Sequence, residues 1–175
     1  MTEDTFEYIL KIPKERVAIL IGTKGATKRK LEKITATTLS VDSTEGEITI
    51  TGTDALLLYV AREIVRAIGR GFSPEIAFLL QKQDYALEVI TLGGTTKNDM
   101  IRIKGRVIGE GGKSRRVIED LTGAYISVYG KTVSIIGEFE QLRTARKAVE
   151  MLLEGAAHAT VYKMLEKKRR MRPPI

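Results

Sequence analysis

Two short glycine clusters, Gly22-Thr23-Lys24-Gly25 and Gly109-Glu110-Gly111-Gly112, each run straight into a group of cations. Around the first stand Lys24, Lys28, Arg29 and Lys30; Arg106 precedes the second, and Lys113, Arg115 and Arg116 follow it. Glycines let an anionic backbone approach peptide N–H groups with no side chain in the way. A helix that begins just after such a cluster adds unpaired amides and the positive end of its dipole. Residues of these types at this spacing suit the binding of a phosphodiester backbone.

Other chemistries fit less well. Gly109-Glu-Gly-Gly-Lys-Ser114 ends like a nucleotide-binding P-loop, but that pattern needs a glycine where Val107 stands, and it must follow a strand. The first cluster carries Ala26-Thr27 in place of Lys-Ser. A dinucleotide fingerprint fails as well, because Ser114 occupies the place of its third glycine. The chain has no cysteine, which removes disulfides, thiolate metal sites and cysteine nucleophiles. Its one histidine, His158, cannot build a multi-histidine metal site and reads as a structural residue. A metal-dependent nuclease needs clustered carboxylates, whereas Asp99 and Glu110, the acids nearest the loops, are isolated among bases. No catalytic residue and no cofactor is expected.

The elements that must position the two loops come from an internal repeat. Residues 21–41 align with residues 108–128 without a gap, placing Gly22 and Gly25 on Gly109 and Gly112, and Leu31 and Ile34 on Ile118 and Leu121. The match resumes so that Gly52 meets Gly137, and Ala61-Arg62 meets Ala145-Arg146. Within each copy the hydrophobic period switches between two and roughly 3.6, the marks of strand and helix. Phe6, Tyr8 and Leu10 alternate ahead of Pro13. Lys14 to Ile21 is helical, Gly22 interrupts it, and Ala26 to Ile34 is helical again. Leu39 and Val41, then Ile48 and Ile50, alternate across a turn at Thr44-Glu-Gly46. Leu57, Val60, Ile64 and Ile68 recur at amphipathic spacing. The second copy supplies Leu87, Val89, Ile90 and Leu92 as its first strand and Leu142, Ala145, Val149 and Leu152 as its last helix. The order is strand, helix, helix, strand, strand, helix, twice. The repeat and its breaks predict a first domain over 1–72, a helical linker over 73–84, a second domain over 85–155, and a basic helix and tail over 156–175.

These residues resemble the KH family, whose helix–loop–helix reads approximately Val-x-x-x-x-Val-Gly-x-Ile-Ile-Gly-x-x-Gly. Val17-Ala18-Ile-Leu20-Ile21-Gly22-Thr-Lys-Gly25 follows it nearly position by position, as does Gly105-Arg-Val107-Ile108-Gly109-Glu-Gly111-Gly112. The family usually has an aliphatic residue three places after the last loop glycine, where this chain has Lys28 and Arg115. The resemblance implies an α+β fold of two tandem eukaryotic-type (type I) KH domains. Each is then a three-stranded antiparallel sheet with its helices on one face. It also implies about four nucleotides of single-stranded RNA held per loop, beside an aliphatic groove for which Ile19, Leu20, Ile21, Val107 and Ile108 are candidates.

Over nearly its whole length the chain is similar to the tandem-KH Partner-of-Nob family of small-subunit ribosome-assembly factors. The carrying stretches are GRVIGEGGKSRRVIEDLTG, then Gly155-Ala-Ala-His158-Ala-Thr-Val161-Tyr162 and the basic helical end. That likeness implies binding near the 3′ end of small-subunit rRNA, with a Nob-type endonuclease and the alpha subunit of initiation factor two as partners. A KH adaptor of an exosome-like or translation-initiation complex is the alternative.

Composition agrees. Twenty-nine Lys and Arg against 22 Asp and Glu give a formal charge of +7, which favours phosphate-rich ligands. Aromatic content of 6% without tryptophan argues against a base-stacking platform such as an RRM. The acidic Met-Thr-Glu-Asp-Thr start lacks the positive charge and apolar run of a signal peptide, and no stretch is apolar enough for a membrane span. The expected setting is the cytoplasm, with no membrane partner.

Overall fold

The computed structural model describes residues 3–173, so the first two and last two positions of the ranges above lie outside the described residues. The chain divides into two compact units, Met1–Gln83 and Asp84–Ile175. In the first, β1 (Phe6–Lys11), α1 (Lys14–Ile21), a 3-10 turn (Thr23–Gly25) and α2 (Ala26–Thr35) lead to β2 (Thr37–Asp42), β3 (Glu47–Gly52) and α3 (Ala55–Gly69). The unit closes with α4 (Pro74–Ala77) and a second 3-10 turn (Phe78–Gln81). The second unit has β4 (Tyr85–Thr91), α5 (Lys97–Ile108), a 3-10 turn (Glu110–Gly112), α6 (Lys113–Thr122), β5 (Tyr125–Tyr129), β6 (Thr132–Glu138) and α7 (Phe139–Leu153). It adds α8 (His158–Arg170). The sheets are ordered β1-β3-β2 and β4-β6-β5 and are antiparallel throughout. The α+β architecture that the family resemblance implied is the one observed, and β2 and β5 are edge strands of their sheets.

Local chemistry explains the boundaries. Asp54 starts α3 by accepting from the Leu56 and Leu57 amides. Thr96 starts α5 by accepting from the Asp99 amide, and Glu138 and Gln141 form a reciprocal capping box on α7. The first strand of each sheet is tied to the last helix of its copy at matching places. Arg62 lies 4.5 Å over the Tyr8 ring, and Arg146 hydrogen-bonds to Glu88 and Glu150. The hydrogen bond to Glu150, then that to Glu88 and the charge of Glu88, hold the Arg146 guanidinium above its usual pKa range. Tyr8 sits opposite Ile50 and Glu88 opposite Ile135, so one structural demand is met by a cation–π contact in one copy and an ion pair in the other.

Two expectations shift. The buried stripe of α3 runs through Leu58, Ala61, Ile64, Val65 and Ile68, while Leu57 and Val60 are half-buried. The start of α3 is apolar almost all round, so packing rather than period selects the face that turns inward. The stretch read as a linker helix over 73–84 is a single turn, α4, followed by a 3-10 turn that stays within the first unit. Ser73 caps it, accepting from the Ile76 amide. Burial of Ala77, Phe78 and Leu80 holds it, with Lys30 lying 4.5 Å over the Phe78 ring.

The last helix is part of the second unit's core. Val161 and Leu165 of α8 are buried with Val107, Ile118, Val133, Ile135, Val149 and Leu152. Leu165→Ala should therefore destabilise the second unit by about 2–5 kcal/mol. Urea unfolding followed by circular dichroism checks this; a change under half a kcal/mol would mean that α8 is not integral to that core.

Candidate nucleic-acid interface

Each glycine loop reverses the chain between two helices by left-handed backbone. φ is +75° at Gly22, +53° at Lys24 and +75° at Gly25, and +73°, +58° and +78° at Gly109, Gly111 and Gly112. Nothing but glycine fits the first place. A Cβ on Gly22 would lie 2.3 Å from Thr27 Oγ1, and one on Gly109 would lie 2.7 Å from the Ser114 Cβ. The residue one place into the following helix thus packs directly under the first loop glycine. The tips, Thr23-Lys24 and Glu110-Gly111, are exposed. Behind them, α2 and α6 begin with no side-chain cap, whereas α3 and α5 are capped by Asp54 and Thr96. The Ala26 and Lys113 amides donate back to the Thr23 and Glu110 carbonyls of the turns, so no side chain stands over the positive dipole end of either helix.

The cations around the loops separate into three kinds. Lys24, Arg29 and Lys30, and Lys113 and Arg116, are exposed on or just after the loops. Arg29 Nη1 also donates to the Lys24 carbonyl at 2.6 Å, which supports the loop from the helix side. Lys28 and Arg115 are different, because each is held by a carboxylate one turn on, at 3.1 Å from Glu32 and 3.5 Å from Glu119. Those carboxylates also accept the edge-strand amides of Leu39 and Ile126, both at 2.8 Å. Where the family usually places an aliphatic residue, both copies have a half-buried cation–carboxylate pair that fastens α2 to β2 and α6 to β5.

Arg106, read as an RNA contact from its place ahead of the second loop, belongs to a third kind. Its guanidinium donates to the Leu152 carbonyl at 3.3 Å and to that of Ala156, pinning α5 to the end of α7. Arg16 does the same in the first unit, donating to the Ile68 and Phe72 carbonyls at 2.8 Å each. The acceptors are equivalent in the repeat, and the donors are one helical turn apart. His158 completes the corner, with Nε2 at 2.8 Å from the Arg106 carbonyl, which accounts for the lone histidine structurally.

The groove candidates divide by burial. Leu20 and Val107 are fully buried core, Ile19 is 38% exposed, and Ile21 and Ile108 are half-buried at the loops. In the second unit the exposed face of α5 runs from Ile108 through Gly105 and Lys104 to Ile101, and ends at an open cavity of about 520 Å³. Thr96, Lys97, Ile101, Lys104, Gly130 and Lys131 line it. Sequence reasoning missed this cavity, because the turn carrying Lys131 is remote along the chain from α5. Thr96-x-x-Asp99 was the available signal for the extra N-terminal turns of α5. Among the described residues no three His, Cys, Asp or Glu side chains gather as a metal site, and no helix is long and apolar enough to cross a membrane. The Tyr85 phenol is raised above its usual pKa by burial and then by Glu138, Tyr125 and Asp84, away from the loop.

Arg106→Gln should lower stability by about 1–3 kcal/mol by unpairing part-buried carbonyls, while the RNA affinity of folded protein stays within about twofold. Unfolding and binding titrations on the same samples check this. A large loss of affinity at unchanged stability would return Arg106 to the RNA contacts.

Comparison with known proteins gives a consistent picture. The family pattern described as eukaryotic type KH-domain (KH-domain type I) matches residues 86–170, and the KH domain pattern matches residues 7–67. A KH domain-containing protein of Methanocaldococcus jannaschii is 54% identical over 167 residues, covering 92% of this chain and 73% of that one. RNA-binding protein pno-1 of Caenorhabditis elegans is 32% identical over 114 residues, 62% of this chain and 41% of that one. Among solved structures, a complex of a/eIF2alpha, aDim2p and rRNA from Pyrococcus horikoshii contains a chain 46% identical to this one. The two superpose with a TM-score of 0.89, covering 95% of each.

Proposed function

We propose, for a chain that belongs to the KH domain family and carries two copies of its fold, a role as a non-catalytic RNA-binding factor of small-subunit ribosome assembly. Both glycine loops hold single-stranded RNA, and the target is the 3′ region of small-subunit rRNA. The observation that carries this reading is the duplicated loop geometry: the same left-handed pattern, the same uncapped helix starts, and exposed cations at both. A KH loop clamps about four backbone nucleotides, so two loops suit a strand of roughly eight or more. The target is supported by relatives, one called an RNA-binding protein and one crystallised with rRNA. Its partners in this reading are the alpha subunit of initiation factor two and a Nob-type endonuclease, in the cytoplasm. The presence of a/eIF2alpha in the relative's complex favours one second reading, an RNA adaptor of a translation-initiation complex.

In the proposed mode a phosphate lies against the amides that follow Gly22 or Gly109, where the exposed cations neutralise it and bases fall toward the edge strand. The glycine path at Gly25 and Gly112 keeps side chains out of that approach. In the second unit the cavity beside Lys104 and Lys131 offers room for a further nucleotide.

Titration of a labelled single strand copying the rRNA 3′ end, against a duplex and a scrambled strand, tests the reading. Thr23-Lys24→Asp-Asp and Glu110-Gly111→Asp-Asp place acids at exposed tips whose third position already has left-handed φ, which Asp tolerates. Each should weaken binding at least about tenfold through repulsion of phosphate, with the fold intact. Unchanged affinity in both variants would end the loop model, and equal affinity for all three strands would favour the adaptor. Binding should also weaken with salt, the logarithmic slope being about 0.7 per phosphate neutralised. A salt-independent complex would contradict the electrostatic part.

A further inference from the structure

The first unit exposes an aromatic face at the sheet edge opposite the RNA loops' edge strand. Phe6 is 43% exposed, Leu56 67% and Tyr59 52%. Phe6 and Tyr8 share one face of β1, and Leu56 and Tyr59 are neighbours one turn apart on α3. Arg62 links strand to helix, 4.5 Å from the Tyr8 ring centroid and 5.8 Å from that of Tyr59. Exposed apolar residues scattered singly need no explanation; a contiguous patch marks an interaction site.

The second copy is an internal control for what the fold itself requires. At the places of Phe6, Tyr8, Leu56 and Tyr59 it carries Ala86, Glu88, Glu140 and Arg143, while Arg62 keeps its arginine as Arg146. The second copy keeps one exposed aromatic at this junction, Phe139, 70% exposed at the place of Ala55, but the junction forms there without the Tyr8–Tyr59 pair around the arginine, so that cluster in the first copy answers to something other than folding. An aromatic face with an arginine could stack bases, but its rim is acidic in a chain of net charge +7. Glu3 and Asp4 lead into β1 beside Phe6, and Asp54 caps α3 two residues before Leu56, all exposed. Phosphate is repelled there and a basic protein segment is attracted. Aromatics around an arginine are also the composition of protein interface anchors.

We infer that the Phe6–Tyr8–Leu56–Tyr59–Arg62 face docks a protein partner, through an apolar segment with basic residues at the end that meets Glu3, Asp4 and Asp54. In the first unit β1 and β2 are opposite edges of the sheet, so partner and RNA can be held together. The inference rests on the proposed partnership with the alpha subunit of initiation factor two, which serves as the probe.

The test is titration of that purified subunit against the parent chain and against Leu56→Glu/Tyr59→Arg, which installs the residue types found at the second copy's own positions. Rna-strand titration of both proteins runs alongside. The inference expects binding by the parent and a loss of at least about tenfold in the variant, as for loss of an aromatic anchor, with RNA affinity unchanged. Parent and variant binding the subunit equally would overturn the docking face and leave the partnership standing. A variant that loses RNA affinity and keeps the subunit would assign the face to RNA and overturn the inference. Absence of binding by the parent would overturn the partnership and the inference with it.

Discussion

The reversal between α1 and α2, and between α5 and α6, depends on there being no Cβ at Gly22 and Gly109. Only then can Thr27 and Ser114 sit directly beneath the loop, bringing the start of the second helix against the end of the first. That contact holds the two helices of each pair together and leaves the loop tip exposed. The other devices near the loop hold the helices at this close approach. Arg16 and Arg106 fix the first helix of each pair to the end of the last helix. Glu32 and Glu119 fix the second helix to the edge strand. The site is thus a rigid presentation of backbone, and side-chain charge adds to it.

Having two copies in one chain separates what the fold demands from what each copy does. Where the copies agree in chemistry, as in the left-handed loops and the cation–carboxylate pairs, the shared element belongs to the fold or to both glycine loops. Where they agree in geometry and differ in chemistry, as at Tyr8 and Glu88 beside the shared arginine, the fold accepts several solutions. The cavity between α5 and the Gly130-Lys131 turn belongs to the second copy, whose first helix has 12 residues against 8 in α1. The two loops therefore sit in different surroundings.

Much of this was legible in the sequence because the repeat reports the same elements twice, and the glycines mark the one place where helix must stop and restart. The loops and the element order follow from those features, and the antiparallel type of each sheet from the family resemblance. What escaped was set by tertiary packing. The inward face of α3 could not be read from a segment apolar nearly all round, and the bridge after Ser73 looked helical because its apolar spacing is, although burial of Phe78 and Leu80 folds it back. Charge alone could not sort the cations. Lys28, Arg115 and Arg106 resemble their exposed neighbours until their acceptors are seen, and those acceptors are backbone carbonyls or carboxylates whose positions only the fold supplies.

The paired arginine clamps show that one bonding demand of this fold can be met from two helix registers. Ile68 and Phe72 occupy the same places as Leu152 and Ala156, yet the arginines that reach them stand at different registers, Arg16 matching Ile103 and Arg106 matching Ile19. The same pair of carbonyls is thus satisfied in both copies by an arginine, from registers one helical turn apart. Aligned column by column, the two arginines do not match, although the bonds they make do. Grafting one copy's first helix into the other would carry a complete clamp only if the arginine travelled with it.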